Sequence, residues 1–244
     1  MKWFKRIGLA FLLLLVLIVA LIAYVALTDG GLQRTLSLGK NFLPEGVSIG
    51  ETSGKLTGPA SFSDIQFENE DGMQVSVDSV DYDWQPKQVL SGKLQVDRLN
   101  VSGVTLRIPE AETSEDTEPK EPFQLSDLKI PLAVEAKDIS VTDIAIYPPG
   151  ADDPIIIDEV LLNAGGEDDE LQLLNFSVKA PLGYLKLDGS VNTSGDWPLS
   201  LDSEWQFDHE QFGSTRGAGK IEGDLKKLNV QHEVSGLVLS LIHI

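Results

Sequence analysis

Three histidines, His209, His232 and His243, are the residues best suited by type to proton transfer or metal binding near neutral pH. None has a second ligand at helical or loop spacing, and neither H-x-x-x-H nor H-E-x-x-H occurs. The chain has no cysteine, so thiolate nucleophiles and zinc–thiolate sites are excluded. Glu167-Asp168-Asp169-Glu170 offers oxygen ligands for a hard cation. The twelve-residue loop that closes on Glu is absent, and a solvated turn is the better reading. Gly217-Ala218-Gly219 lacks the Lys-Ser/Thr of a phosphate loop and reads as a turn or strand glycine pair. Asn-x-Ser sequons begin at Asn100, Asn175 and Asn192 and read as chance. Packing on strands or at their ends accounts for Trp84, Trp197 and Trp205. No combination of nucleophile, base and orienting group survives. The expectation is a protein that is not an enzyme, with no catalytic residue, no metal and no cofactor.

The elements that would position any site begin with an anchor. Lys2, Lys5 and Arg6 precede a stretch from Ile7 to Leu27 that contains no charged residue and includes Leu14 and Leu21. Twenty-one residues at about 1.5 Å each span roughly 32 Å, the thickness of a hydrocarbon core. A cleaved signal peptide would have a shorter apolar region ending in an Ala-x-Ala type site, which Ala23-Tyr24-Val25-Ala26 does not supply. The basic flank predicts a cytoplasmic N-terminus, with the bulk of the chain across the membrane.

Beyond Leu27 the chain is acidic. All 38 Asp and Glu lie there, against 16 of the 19 basic residues. Such a surface repels phosphate backbones, so nucleic acid is not an expected partner. Without disulfides, a translocated domain must be held by packing and backbone ladders alone.

Residues 28–46 form a connector, which Pro44 closes to any helix. From Val47 onward apolar and polar residues alternate and the turns are rich in Gly, Asp, Asn and Pro, the signature of strands. Turns are expected at Glu70-Asp71-Gly72, across Gly165–Glu170 and at Asn192–Asp196. Ala111–Pro122 (AETSEDTEPKEP) has no apolar periodicity and reads as a solvated, disordered loop. The expected segments are therefore 47–110 and 123–244 on either side of a loop at 111–122. Because the same pattern resumes after the loop, one continuous sheet is favoured over two domains.

A repeated phase slip is the most informative feature of that pattern. Val75, Val77, Val80 and Tyr82 alternate as apolar residues but slip by one at Asp78. Leu94, Val96, Leu99 and Val101 do the same at Asp97, and Ile155, Ile157, Val160 and Leu162 at Asp158. Val134-Glu-Ala136-Lys-Asp138-Ile139-Ser-Val141 displaces the Asp by one. A strict period of two would send the later residues to the opposite face. A bulge restores them to the first face and bends the strand, which predicts a curved sheet with one apolar face. The alternative is two short strands joined by a tight connection. No amphipathic helix follows to cover such a face. It must close into a barrel, pack on a second sheet, or form a groove for something apolar.

In this arrangement the chain resembles the TamB family, the inner-membrane subunit of the bacterial translocation and assembly module, within the AsmA-like group. The resemblance runs from the basic-flanked span through Val47-Ser-Ile49-Gly-Glu-Thr-Ser-Gly54-Lys-Leu56-Thr-Gly58 and Val75–Trp84. It continues in Val89-Leu90-Ser-Gly92-Lys-Leu94 and Leu99-Asn-Val101-Ser-Gly103-Val104. After the acidic loop it includes Leu128-Lys-Ile130-Pro131-Leu132, Leu187-Asp-Gly189, Trp197-Pro198-Leu199 and Gly217-Ala-Gly-Lys-Ile221-Glu-Gly223-Asp-Leu225. Family members are far longer, and this sequence, ending at Leu241-Ile-His-Ile244, reads as an N-terminal fragment.

The resemblance implies a mainly β fold: a single transmembrane helix, then an elongated, twisted sheet with an apolar groove. It implies a periplasmic bridge in the inner membrane that supports outer-membrane protein and autotransporter assembly with a TamA-like barrel partner. It also implies phospholipid transfer between the two membranes. A phospholipid in water exposes two acyl chains at about 0.8 kcal/mol per CH₂, a barrier on the order of 20 kcal/mol that makes desorption very slow. An apolar face removes most of that barrier without any covalent step. The groove candidates are the twelve slip residues Val75, Val77, Val80, Tyr82, Leu94, Val96, Leu99, Val101, Ile155, Ile157, Val160 and Leu162. The rival expectation is a scaffold or chaperone that pairs with the strands of β-barrel substrates and carries no lipid.

Overall fold

A computed structural model describes residues 46–55, 57–110, 130–209 and 213–236. The expected anchor at Ile7–Leu27, nearly all of the connector and the acidic segment Ala111–Pro122 lie outside them. Among the described residues no helix is long and apolar enough to cross a membrane.

The described chain is one long, curved, open sheet of twelve strands. In chain order these are β1 (Val47–Ser48), β2 (Thr52–Gly54), β3 (Ala60–Glu68), β4 (Gln74–Trp84), β5 (Lys93–Arg107) and β6 (Ile130–Tyr147). They continue as β7 (Ile155–Asp168), β8 (Glu170–Ala180), β9 (Gly183–Asn192), β10 (Leu199–His209), β11 (Gly213–Gly223) and β12 (Leu228–Gly236). The spatial order follows the sequence, with β1 and β2 sharing the outer edge of β3. The one described helix, α1 (Pro86–Val89), is a single turn between β4 and β5.

Neighbours pair antiparallel except β5 and β6, which run parallel from Lys93↔Ala133 to Arg107↔Tyr147. A parallel pair needs a crossover of a dozen residues or more, and about 22 residues separate the two strands. The acidic segment therefore falls within a crossover, and a single sheet runs through both of the expected segments. Ion pairs on the polar face reinforce the seam: Lys93 with Glu135, and Lys137 with Asp97 at 2.9 Å.

Two expectations need correction. The turn placed across Gly165–Glu170 is narrower, because β7 continues through both glycines and Glu167 already pairs with Glu170. Only Asp168 and Asp169 turn the chain, Asp168 in the left-handed region at φ 54°. An Asp tolerates that region because its short side chain bonds locally. The alternative of two short strands is also excluded, since each slip lies inside a single strand of 11 to 18 residues.

The slips are of two physical kinds. In five adjacent strands the apolar face steps over two residues at the same level: Phe62 to Ile65, Val77 to Val80, Val101 to Val104, Val141 to Ile144 and Ile157 to Val160. The stepped-over residues pair with one another, as in Ser63↔Ser79↔Ser102↔Thr142↔Glu159. Because neighbours share the step, register is kept and a crease crosses the sheet. Left-handed backbone occurs along it at Asp64, Gly103 and Asp143. The steps from Val96 to Leu99 and from Ala136 to Ile139 are instead bulges. The flanking strands do not share them, and register shifts there. The slips at Asp78 and Asp158 thus belong to the crease, and those at Asp97 and Asp138 to bulges.

Candidate functional site

Register fixes which side chains share a face, since directly paired residues point the same way. From β4 to β5, Val75, Val77, Val80 and Tyr82 stand opposite Leu106, Val104, Val101 and Leu99. From β5 to β6, Leu94, Val96, Leu99 and Val101 stand beside Val134, Ala136, Ile139 and Val141. From β6 to β7, Ile155, Ile157, Val160 and Leu162 meet Ile146, Ile144, Val141 and Ile139. All twelve slip residues therefore lie on one face.

That face continues past them. Val160 and Leu162 meet Val178 and Phe176 of β8, which meet Leu185 and Leu187 of β9. These lead to Trp205 and Ser203 of β10, and Leu199 and Leu201 complete its apolar side. In the other direction Val80 and Val77 meet Phe62 and Ile65 of β3. The eight strands from β3 to β10, at about 4.8 Å apart, give an apolar track of roughly 34 Å across the strands.

Among the described residues no layer covers this track. Among the described residues the only buried apolar side chains are Ala60 and Ala164. Eleven of the twelve slip residues are half-buried, and Ile155 is 57% exposed. A sheet this large normally buries one face on another layer. Near the β3 end, the Phe62 and Tyr82 rings stack with centroids 5.9 Å apart, and partial burial raises the Tyr82 phenol pKa.

The opposite face is polar. Ser76, Gln95, Asn100, Ser102, Ser140 and Lys186 occupy it, with hydrogen bonds such as Ser79 Oγ to Ser102 Oγ at 2.8 Å. Side-chain hydrogen bonds from Gln85, Lys137 and Gln95 hold the Asp97 carboxyl pKa down to about 2.

One polar cluster interrupts the apolar face, and sequence reasoning missed it. His232 of β12 lies with Nε2 2.7 Å from Ser203 Oγ and Nδ1 3.2 Å from Trp205 Nε1. Both partners are on β10, and their side chains reach His232 across β11. Gly217 and Gly219 make room. A Cβ at Gly217 would stand 2.7 Å from the Trp205 ring, and one at Gly219 2.5 Å from the imidazole Cδ2. The G-x-G motif is thus a slot for two rings on a strand. The available signal was the period of two shared by Ser203-x-Trp205 and Gly217-x-Gly219.

A serine beside a histidine invites comparison with a nucleophile and its base, but the hydrogen bonds run the other way. An indole N–H only donates, so Nδ1 accepts from Trp205 and the imidazole proton sits on Nε2. Nε2 then donates to Ser203 Oγ, which donates to the Gly219 carbonyl at 3.2 Å. A base that activates serine needs Nε2 bare. This chain of bonds ties β12 to β10. Among the described residues no group of three or more His, Asp or Glu could hold a metal ion.

Comparison with curated proteins finds no match. The family described as TamB, N-terminal domain, matches residues 17–152 and again 124–243. Those two stretches overlap and together cover the described sheet from β1 to β12. By that match the chain belongs to the TamB family, through its N-terminal domain.

Proposed function

We propose that this protein is an inner-membrane-anchored periplasmic bridge of the translocation and assembly module type. In this reading its apolar sheet face holds phospholipid acyl chains in passage between inner and outer membranes. The same bridge supports assembly of outer-membrane proteins and autotransporters, with a TamA-like barrel as partner. Transfer needs no covalent step, so no residue is assigned a catalytic role.

The observation that carries this reading is the uncovered face. Side chains from β3 to β10 form one continuous apolar surface, and nothing in the described chain buries it. An acyl chain laid there loses contact with water along one side while the headgroup stays solvated at the rim. At about 0.8 kcal/mol per buried CH₂, even partial coverage offsets much of the desorption barrier. Strand β1 opens the sheet and follows the expected anchor in the chain, so in this reading the track starts near the inner membrane.

Detergent-free purification followed by lipid extraction and mass spectrometry tests it. Phospholipid should accompany the wild-type protein, and most should be lost from Val101→Asp and Val141→Asp, adjacent changes at mid-track. A lipid-free wild type, or equal lipid in the variants, would count against the reading.

A further inference from the structure

The sheet contains a step between β7 and β8. Strand β7 begins at Ile155, but its pairing with β8 begins only at Glu159↔Lys179. On its other side Ile155, Ile156 and Ile157 pair with Ile146, Ala145 and Ile144 of β6. Among the described residues no strand lies along the β8 side of Ile155–Asp158. Strand β8 stops at Ala180, and the chain turns through Pro181 and Leu182 into β9. Alternate backbone N–H and C=O groups of this stretch therefore point into an open position.

The outer edges of the sheet are guarded along their length, whereas this inner edge has guards only at its two ends, Pro154 before Ile155 and Asp158 after Ile157. Protein edges are usually blunted by short strands, charges or proline. At one end β1 and β2 break the edge into pieces of two and three residues. At the other, β12 carries Asn229, Gln231 and Glu233 on its solvated face. The free stretch of β7 is three isoleucines in a row. Ile155 is 57% exposed on the apolar face, and Ile156 is 40% exposed on the polar face, where its β6 partner is only Ala145. A β-branched apolar side chain on the solvated face of an open edge invites another strand.

A second observation lies beside the step. A depression of about 600 Å³ opens on the polar side, lined in part by Asp158, Leu161, Lys179, Pro181 and Tyr184. Leu182, 55% exposed, stands at the tip of the same turn. In strand addition the backbone ladder supplies affinity, while pockets for alternate side chains supply selectivity.

We propose that the free edge of β7 at Ile155–Asp158 binds an extended polypeptide segment, which adds to the sheet as a strand in line with β8. The segment is apolar and uncharged at its centre. One set of its side chains lies over Ile155 and Ile157, and the other lies beside Ile156 above the depression. The backbone ladder lies in the plane of the sheet and forms with or without acyl chains, although the side chains over Ile155 and Ile157 share the face proposed to hold them.

The test uses the full chain in lipid nanodiscs. The probe is a fluorescein-labelled peptide of about eight alternating valines and threonines, with a twin N-methylated at every second residue. The parent peptide should slow amide exchange within Ile155–Asp158, and the twin should bind at least about tenfold more weakly because it cannot complete the ladder. Ile156→Lys, which puts a charge on the solvated side of this edge and leaves the β6 ladder intact, should weaken the parent peptide similarly. Equal binding of the two peptides overturns the proposal. So does protection confined to Leu228–Gly236, unchanged affinity in Ile156→Lys, or no binding.

Discussion

The carboxylate of Asp78 on β4 rests against the Cα of Gly103 on β5, so close that a Cβ at residue 103 would stand 2.1 Å from Asp78 Oδ2. Gly103 is also left-handed, at φ 67°. These two residues sit on the crease that crosses β3 to β7, where the apolar face keeps its side despite an extra residue in every strand. The crease thus rests on a glycine that no other residue replaces without strain.

Gly103→Ala should therefore destabilise the sheet by about 1–3 kcal/mol, the usual range for a residue forced into a sparsely populated backbone region. Urea unfolding followed by tryptophan fluorescence reads this. Adding Asp78→Gly should restore only part of the loss, because it removes the clash and leaves the left-handed backbone strained. Full restoration would mean that the backbone conformation carries no cost.

The polar cluster gives a second expectation. Trp205→Phe removes the donor to His232 Nδ1, and Ser203→Ala removes the acceptor for Nε2–H. Each should cost about 1 kcal/mol, the typical net value of a hydrogen bond. The loss should be local. His232 is the one side chain of β12 that is not exposed, so amide exchange should accelerate in Leu228–Gly236 and not in β4 or β5. Uniform acceleration would contradict the assignment of the cluster as the tie on β12.

Asp97 gives a pH expectation. Its carboxyl pKa lies at about 2, below the ordinary 3.8, chiefly because Gln85 donates to it, with Lys137 and Gln95 adding to the effect. A pKa depressed by folding gives stability that is present above about 4 and lost as pH falls towards 2. Carbon-13 titration of the carboxyl should show the low midpoint, and Gln85→Ala should move it up towards the usual carboxylate range. Asp97 is open to solvent, so the stability at stake is small. A midpoint unmoved by Gln85→Ala would contradict the cause given.

Much of this architecture was legible in the sequence, because strand periodicity survives wherever one face is apolar. The slips at Asp78, Asp97 and Asp158 pointed to one consistent face, and register puts Val75 through Leu162 on it. The difference between crease and bulge was not legible. It depends on whether the neighbouring strand slips at the same level, which one strand's sequence does not contain. The parallel pairing of β5 with β6 was hidden for a similar reason, since apolar alternation reads the same in either direction. The Ser203–Trp205–His232 cluster escaped because a search for ligands looks along the chain, whereas these residues meet across three strands. The free edge of β7 was invisible too, for it arises from where β8 ends.

Site-specific photocrosslinking in cells tests the central claim most directly. Crosslinkers at Val77, Val96 and Ile157 lie on the apolar face, while one at Ser76 lies on the polar face of the same strand as Val77. The three apolar-face positions should capture phospholipid and Ser76 should not. Equal labelling of Ser76, or capture of protein without lipid at all three apolar positions, would contradict a face that carries acyl chains.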